Sequence, residues 1–357
     1  MNKKVVNATA LRGGGALTIL KQFVDAASKD SRDYIFFVSP GLNLPTVSNI
    51  RFVEINTISW FKRIIWDWFK LKKWLHKNNI NYDLIISLQN TSVCINAPQI
   101  IYLHQPLPFT KINLEFNRFE DLKLLLYKRF YAFISFVFTK KDTKFVVQTN
   151  WMKESLIKDF NINPKQIFQI MPNIVLPKSK GSCGSNTYFQ IFYPASPISY
   201  KNHLIILQAL HMLFLEKKIN DIVFSVTFQR GDYPQFDHMV NIFKLDNNIN
   251  YIGVVKYEQV IELYLKSNLI VFPSYIETFG FPLIEAASLG KEIICSKQEF
   301  SLEVLEGYDG ATFLPYDKPS EWASALEVSY KKRDKIISYN QSKVFKSSSW
   351  DEFFSLF

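Results

Sequence analysis

Two glutamates, Glu277 and Glu285, bracket the predicted start of a short helix. The apolar run 269–272 predicts a strand just before them, Pro282 suits the first helical position, and Gly290 suits the left-handed residue past the helix end. Unpaired N–H groups at such a helix start attract anions. A nucleotide sugar fits this arrangement, because its pyrophosphate would lie at the helix start and its hydroxyls on the two carboxylates.

The spacing of the two glutamates is weak by itself, because solvated glutamates at this spacing are common in ordinary β-α-β units. The surrounding sequence is more specific. Residues 272–290, FPSYIETFGFPLIEAASLG, resemble the donor-site motif of the retaining GT-B glycosyltransferases of family 4. The resemblance implies that Glu285 binds the ribose and that Glu277 lies near the sugar. It also implies donor contacts from six further residues of the motif: Thr278, Phe279, Gly280, Phe281, Pro282 and Leu283.

A lysine, Lys201, follows the strand and loop of YPASPISYKN and comes just before a predicted helix. A lysine in such a place can neutralise a pyrophosphate as a point charge. The segment resembles the family motif in which this lysine contacts the donor diphosphate. Many members also carry an arginine five residues earlier, where this chain has Ser196. Arg12 or Arg230 could replace that arginine only if the fold brings them close.

A histidine, His104, directly follows the predicted strand 100–103 in the segment YLHQPLPF. A lone histidine at a strand end is more often structural than catalytic. The segment, however, resembles that of family 4 enzymes that build bacterial surface polysaccharides, in which this histidine lines the sugar pocket. The resemblance implies the same role for His104, in a loop stiffened by Pro106 and Pro108.

Two further stretches are candidates for donor contacts. The turn Gly13, Gly14 and Gly15 lies between a predicted strand, 3–9, and a predicted helix, 16–28. It suits a phosphate-binding backbone or a flexible turn, and it does not match the dinucleotide pattern G-x-G-x-x-G. The line NYIGVVKYEQVIELYLKSNLIVFPS follows the family pattern, which implies base contacts from Ile252, Gly253, Val254 and Tyr257; core packing is the alternative.

Length and charge limit the class of protein. A chain of 357 residues predicts two domains. The basic excess lies in residues 1–178, with 25 Lys and Arg against 12 Asp and Glu, while the remainder has 17 against 20. A basic half suits nucleic acid, an anionic membrane or acidic ligands. No zinc spacing, helix-turn-helix signature or RNA-binding aromatic motif accompanies the charge, so nucleic acid is disfavoured.

The cysteines and the N-terminus predict a cytosolic location. Cys94, Cys183 and Cys295 are widely spaced and odd in number, which favours reduced thiols over a disulfide framework. The N-terminal sequence MNKKVVNATALRGGG lacks the apolar core of a secretory signal.

Two segments of the first half mix aromatic and basic residues. Residues 60–77, WFKRIIWDWFKLKKWLHK, place apolar residues at helical spacing beside Lys and Arg. Trp together with Lys and Arg is typical of a helix in a membrane interface. In residues 111–144, Lys128 and Arg129 interrupt an apolar run that is too short for the ~20 residues of a spanning helix. The second segment suits an interfacial helix or a groove for a lipid-linked acceptor. A core-facing helix of the first domain explains either pattern equally well.

Strand and helix patterns alternate in both halves, which predicts an α/β protein of two doubly wound, Rossmann-like domains. We place the first domain at 1–176 and the second at 177–338, with a linker, PKSKGSCGSNT, at 177–187. Residues 339–357 are expected to cross back to the first domain. The resemblance implies the GT-B fold, in which the two domains face a cleft.

The resemblance covers residues 80–330 and implies a retaining, metal-independent glycosyltransferase. A sugar would pass from a nucleoside diphosphate to an acceptor hydroxyl. No cofactor is expected, because the chain lacks an Asp-x-Asp motif, and Lys201, the helix start near Gly280 and the Gly13 to Gly15 backbone would neutralise the leaving diphosphate. The basic first domain and the HQPLPF segment point to a lipid-linked glycan at the inner face of a bacterial membrane, as in O-antigen or capsule assembly.

Two other classes stay open at this point. A catalytically silent protein of the same fold is conceivable because the arginine is absent at Ser196, although Glu277, Glu285 and Lys201 argue against it. A basic nucleic-acid-binding protein is the other, and the lack of a reading motif disfavours it.

Overall fold

The computed structural model describes residues 2–111, 119–172, 188–333, 339 and 350–357. The chain divides into two compact units, Met1–Ile174 with Ser347–Phe357, and Val175–Lys346. The predicted linker, 177–187, lies outside the described residues. No helix within the described ranges is both long enough and apolar enough to cross a membrane.

The first unit contains one seven-stranded sheet. Its strands are β1 Lys3–Ala8, β2 Tyr34–Val38, β3 Ile50–Glu54, β4 Tyr82–Ser87, β5 Gln99–Leu103, β6 Lys144–Val147 and β7 Ile167–Gln169. All pairs are parallel, in the order β3-β2-β1-β4-β5-β6-β7. Strands such as β2, YIFFV, are apolar and buried throughout, because a parallel sheet is covered on both faces.

The helices of this unit cover that sheet. They are α1 Gly14–Ser28, α2 Trp60–Ile65, α3 Leu71–Lys77, α4 Phe119–Phe136 and α5 Asn150–Phe160. The α1 helix begins two residues before the predicted start, because Gly14 adopts a positive φ of 56° and already lies within the first turn. One face of α1 is buried, as a 3.6-residue apolar period requires.

The predicted helix 60–77 is interrupted by a π-helical turn, Trp66–Lys70, between α2 and α3. A π turn offsets the side chains that follow it from those that precede it, so one apolar face cannot run the whole length. The prediction for individual side chains is therefore wrong in places. Arg63, expected on the charged side, is buried, whereas Phe61 and Phe69, expected on the apolar face, are exposed.

The second unit contains a six-stranded parallel sheet. Its strands are β8 Phe189–Tyr193, β9 Ile222–Val226, β10 Ile249–Tyr251, β11 Leu269–Phe272, β12 Glu292–Ser296 and β13 Ala311–Leu314, in the order β10-β9-β8-β11-β12-β13. The helices are α6 His203–Met212, α7 Pro234–Phe243, α8 Tyr257–Lys266, α9 Phe281–Ser288, α10 Glu299–Val304 and α11 Pro319–Lys331. Both sheets are doubly wound, which confirms the predicted fold class.

The last helix, α12 Trp350–Phe354, packs within the first unit. Its residues Trp350, Phe353 and Phe354 surround Phe23 of α1, with ring centroids 5.2–5.4 Å from the Phe23 centroid. The Arg32 guanidinium donates to the Phe354 carbonyl at 3.2 Å. Of the segment 339–357, which was expected to cross back to the first domain, residues 340–349 lie outside the described residues.

Candidate functional site

Each sheet has a point where the strand order reverses, and loops that leave neighbouring strands there run in opposite directions. In an open α/β sheet, ligands bind in the crevice at the carboxyl ends of the strands at this point. The reversal lies between β1 and β4 in the first unit and between β8 and β11 in the second. In the second unit, the loop after β8 carries Lys201 and the loop after β11 carries Glu277.

Lys201 and Glu277 are brought into direct contact. The Lys201 Nζ donates to Glu277 Oε1, and the two side chains are 17% and 15% exposed. Because both charges are largely withdrawn from water, each compensates the other in the absence of ligand. A carboxylate and an ammonium group therefore lie together at the carboxyl edge of the sheet, within reach of one bound molecule.

The segment that carries Lys201 is a 3-10 turn, Ser199–Lys201, and not the start of the long helix. The Tyr200 carbonyl accepts hydrogen bonds from the backbone N–H of Tyr275, at 3.1 Å, and from Ser274 Oγ, at 3.3 Å. Asn202 Nδ2 donates to the Tyr316 carbonyl at 2.8 Å. Hydrogen bonds to backbone carbonyls thus hold the two loops together, which fixes the position of Lys201 relative to the loop of Glu277.

The helix start beside Glu277 depends on Gly280. Its φ is +79°, and an added Cβ would lie 3.2 Å from Leu283 Cδ1, so glycine is required there for both conformation and space. No side chain caps α9. Pro282 takes the second helical position, one later than predicted, and Gly290 has the predicted positive φ, 67°.

The side chains of Phe279 and Leu283 are buried in the core of the second unit. Of the six motif residues predicted to contact the donor, these two can offer only their backbone to a ligand. Thr278, Phe281 and Pro282 are partly exposed.

Glu285 lies on α9, where two tyrosines of α8 face it. Tyr264 donates its hydroxyl to Glu285 Oε2 at 3.0 Å, and Tyr257 also hydrogen-bonds the carboxylate. Burial raises the pKa of Glu285, and these two hydroxyls partly offset that rise. The sequence did not identify Tyr264 as a site residue, because its position in ELYLK resembles an ordinary apolar position of a helix.

The predicted base contacts Ile252, Gly253 and Val254 lie in the loop that follows β10, because this strand ends at Tyr251. Gly253 has a φ of +78°, and an added Cβ would lie 3.3 Å from Gln229 Cγ. Val254 is 93% exposed. Val254 therefore does not pack in the core, as the alternative interpretation expected, and its side chain is accessible to a ligand.

The glycine turn of the first unit forms the start of α1. Gly13 and Gly14 have open space around them, with no heavy atom within 4 Å of an added Cβ, and Gly15 is exposed. The preceding residue, Arg12, has its Nε and Nη2 atoms buried without a hydrogen-bond partner among the described residues. Buried N–H groups without an acceptor are costly, so these two nitrogens favour an anion as a partner.

The other arginine considered at the sequence level, Arg230, is already occupied. It is exposed and donates to Asn241 Oδ1 at 2.8 Å and to Asp246 Oδ1 at 2.7 Å. A guanidinium paired with a carboxylate is less available to a phosphate, so Arg230 is a poor candidate for the role left open at Ser196.

His104 is held by the loop that follows β4. Its Nε2 lies 2.8 Å from the Leu88 carbonyl oxygen and 3.2 Å from Asn90 Nδ2. Asn90 Oδ1 accepts the backbone N–H groups of His104 and Gln105. Burial lowers the pKa of His104 to about 4. The ring is therefore neutral near pH 7, and a neutral imidazole has one nitrogen with a lone pair that can accept a hydrogen bond.

A buried polar network that the sequence did not reveal lies beside this loop. The Asp67 carboxylate accepts from Asn7 Nδ2 at 2.7 Å, Gln89 Nε2 at 2.9 Å and Thr91 Oγ1 at 2.8 Å. Burial raises the pKa of Asp67 to about 6, although the charge of Arg63 opposes the rise. In the sequence, Asp67 looks like an ordinary surface charge of a basic helix. Among the described residues, no three His, Cys, Asp or Glu are grouped to hold a metal ion.

Comparison with known proteins shows what the chain is similar to. Residues 180–343 match the family model described as glycosyl transferases group 1. The second half of the chain is therefore similar to this family. A curated relative of this glycosyltransferase is the O-antigen chain mannosyltransferase RfbU of Salmonella typhimurium. The two are 23% identical over 91% of this chain and 87% of the relative.

Solved structures of the same fold include a glycosyltransferase and a complex with UDP-glucose. WaaG, a glycosyltransferase involved in lipopolysaccharide biosynthesis, matches with a TM-score of 0.68 and 11% identity, covering 92% of this chain and 90% of its own. Anabaena HepE in complex with UDP-glucose matches with a TM-score of 0.65 and 13% identity, covering 93% and 90%. The predicted family and the predicted GT-B fold of this glycosyltransferase are confirmed.

Proposed function

We propose that this glycosyltransferase moves a sugar, with retention of anomeric configuration, from a nucleoside-diphosphate sugar to a hydroxyl of a lipid-linked glycan. The reaction would serve bacterial surface polysaccharide synthesis at the inner face of the cytoplasmic membrane. The observation that carries the proposal is the contact of Lys201 with Glu277 beside the start of α9. The UDP-glucose bound to HepE supports the donor class, and the names of RfbU and WaaG support the acceptor class.

In the proposed reaction, the acceptor hydroxyl oxygen bonds to the anomeric carbon and the bond from that carbon to the diphosphate breaks. The proton of the hydroxyl passes to an oxygen of the departing diphosphate. The diphosphate leaves with the electron pair, so negative charge grows on it. Lys201 and the uncapped N–H groups at the start of α9 stabilise that charge, and the Gly13 to Gly15 backbone with Arg12 adds to it from the first unit. We assign no metal ion and no carboxylate nucleophile to the reaction.

The remaining groups bind and orient the donor. Glu277 accepts from sugar hydroxyls, and Glu285, held by Tyr264, accepts from the ribose. The neutral His104 accepts from a hydroxyl on the other side of the sugar. The loop of Ile252, Gly253 and Val254 contacts the base.

A panel of nucleotide sugars tests the proposal by thermal shift, because a ligand of the native state raises its stability by mass action. Mass spectrometry with a lipid-linked acceptor would identify the product, and NMR of its anomeric proton would give the configuration. We expect one donor to shift the wild type, a much smaller shift for Glu285→Ala, and transfer that survives a metal chelator. A protein that binds a donor without transferring sugar to any acceptor would be a catalytically silent member of the fold. Absence of any shift would remove the donor proposal.

A further inference from the structure

The loop that follows β4 contacts both candidate site loops of the first unit. Two consecutive residues of this loop, Gln89 and Asn90, direct their side-chain amides to different neighbours. The Asn90 amide holds the loop of His104. The Gln89 Oε1 accepts from the backbone N–H of Ala10 at 3.0 Å and from Thr9 Oγ1 at 3.1 Å. Gln89 therefore holds the loop that follows β1, which leads into the glycine turn.

The hydrogen bond at Ala10 lies close in the chain to the residues proposed to meet the donor diphosphate. Arg12 follows two residues later, and the exposed glycine turn, 13–15, comes directly after it. Among the described residues, no heavy atom lies within 4 Å of an added Cβ at either of the first two glycines, so neighbours give the turn itself little support. On the side of β1, its anchors are the Ala10 N–H and the buried Leu11 side chain.

The Asp67 carboxylate determines which end of the Gln89 amide faces Ala10. Its Oδ1 and Oδ2 lie 2.9 Å and 3.2 Å from Gln89 Nε2. An ionised carboxylate can only accept hydrogen bonds, so it selects the NH2 end of the amide and leaves Oε1 for the Ala10 N–H. With the amide reversed, two donors would face each other at Ala10 and two acceptors at Asp67. The orientation of Gln89 therefore depends on Asp67.

Asp67 is hydrogen-bonded to both sides of the point where the strand order of this sheet reverses. Its carboxylate accepts from Asn7 Nδ2 of β1, at 2.7 Å, and from Thr91 Oγ1 in the loop after β4, at 2.8 Å. The residue is 3% exposed. A buried carboxylate costs free energy even when it is hydrogen-bonded, and an apolar side chain would fill the same place at lower cost. The position of Asp67 thus favours a role in arranging these loops over a role in packing.

We propose that Asp67 is a positioning residue for donor binding. By orienting Gln89, it holds the loop after β1 so that Arg12 and the N–H groups of the glycine turn are presented to the donor diphosphate. The inference rests on the proposed donor role of that turn, and it adds a residue that does not itself contact the donor. It concerns affinity for the diphosphate and not for the sugar or the base.

Calorimetric titration with nucleoside diphosphates tests the proposal, because these ligands carry the diphosphate and need no acceptor. UDP, GDP, ADP and dTDP are titrated at pH 8, where Asp67, whose pKa burial raises to about 6, is ionised. Asp67→Asn gives position 67 a donor as well as an acceptor, so Gln89 loses its fixed orientation. The Kd of the diphosphate that the wild type binds most tightly should rise about fivefold, the contribution of one hydrogen bond. The control Asp30→Asn, at a hydrogen-bonded carboxylate of the opposite sheet edge, should leave this Kd unchanged.

A double-mutant cycle with Arg12→Ala tests whether Asp67 acts through the turn. In the Arg12→Ala background, Asp67→Asn should raise the Kd less than about twofold, because the positioned guanidinium is already absent. The exchange D67N/Q89E should restore the Kd to within about twofold of the wild-type value, because a carboxylate at position 89 accepts from both the amide at position 67 and the Ala10 N–H. Q89E alone should not restore it, since it places two carboxylates together.

A merely structural role predicts a lower Tm with an unchanged Kd, so an unchanged Kd in folded Asp67→Asn would overturn the proposal. An equal rise of the Kd with and without Arg12 would also overturn it, and so would weak binding by D67N/Q89E. If Asp67→Asn does not fold, Gln89→Met is measured instead and should raise the Kd to the same extent. A wild type that binds none of the four diphosphates would remove the proposed donor role together with this inference, whereas tight binding that Asp67→Asn leaves intact would remove this inference alone.

Discussion

Lys201 and Glu277, 76 residues apart in sequence, form an ion pair at the carboxyl edge of the second sheet. They meet because β8 and β11 are neighbours in the sheet and because the Tyr200 carbonyl accepts from the loop that carries Glu277. The pair gives this edge both a cation for a phosphate and an acceptor for a hydroxyl. A bound donor would replace the ion pair: its phosphate would contact Lys201, and one of its hydroxyls would donate to Glu277.

Removal of either member of the pair should slow transfer. We expect K201A and E277Q each to lower kcat by roughly 10²-fold, because a positioned electrostatic group contributes about that much. The double variant should lose little more than either single one, since contacting residues are not additive. Steady-state kinetics on the four proteins measures this. K266A, which removes an exposed lysine paired with Glu262, is the control and should transfer normally.

Donor binding should depend on pH through Glu285. Its pKa is raised by burial, so the carboxylate protonates at a higher pH than usual as pH falls, and the donor KM should rise there. Tyr264→Phe removes a hydrogen bond that stabilises the charged form, so the rise should begin at a still higher pH. Glu285→Gln should raise KM about tenfold and show no such dependence. A KM of Glu285→Gln that still follows the wild-type pH profile would assign the titration elsewhere.

The rate should be insensitive to the titration of His104 between pH 8 and pH 5, because the pKa of this ring lies near 4. Asn90→Ala should lower kcat about tenfold, since Asn90 orients the loop that carries the ring. A pH–rate profile of the wild type and kinetics of the variant measure both effects. Asn250→Ala, which removes an amide of the second unit, is the control. An inflection near pH 6.5 that His104→Gln abolishes would contradict the neutral ring.

Arg12 and Arg230 should differ sharply. Arg12→Ala should raise the donor KM roughly 10-fold or more, because a hydrogen bond to a charged group contributes about 1.5–3 kcal/mol. The same variant should keep or raise the Tm, since Nε and Nη2 are buried without a hydrogen-bond partner in the described part of the chain. Arg230→Ala should leave the KM unchanged. Kinetics with calorimetry separates the two roles, and a large loss of Tm with normal KM would make Arg12 a structural residue.

Stability should fall as the pH is lowered below about 6.5. His203 is fully buried, and burial lowers its pKa to about 3, so the folded state resists a proton that the unfolded state binds. The contribution is complete above the unfolded pKa and is lost as pH falls toward the folded one, at about 1.4 kcal/mol per pH unit. Asp67, with a pKa raised to about 6, acts in the opposite direction. His203→Phe should flatten the decline in urea titrations between pH 6.5 and 4.5, whereas His211→Phe should not.

Much of the fold follows from local sequence. Strands such as β2 and β11 are continuous apolar runs, and glycine or proline marks the ends of helices such as α9. Where the prediction from local sequence was wrong, a tertiary contact determines the local structure. The π turn at Trp66–Lys70 places Asp67 against Asn7 and Gln89, and no helical period predicts an inserted residue.

The sequence by itself determined the family, the two doubly wound sheets and the types of residue available for a donor site, because these depend on apolar period, turn residues and a local motif. The tertiary structure decided the partners: Lys201 with Glu277, Tyr264 with Glu285, and Asn90 with His104. Within the described ranges, it also leaves two nitrogens of Arg12 without a partner while Arg230 has one. Strand order sets which loops meet, and buried polar groups then pair with whatever those loops bring within hydrogen-bond distance, which the linear order of residues does not contain.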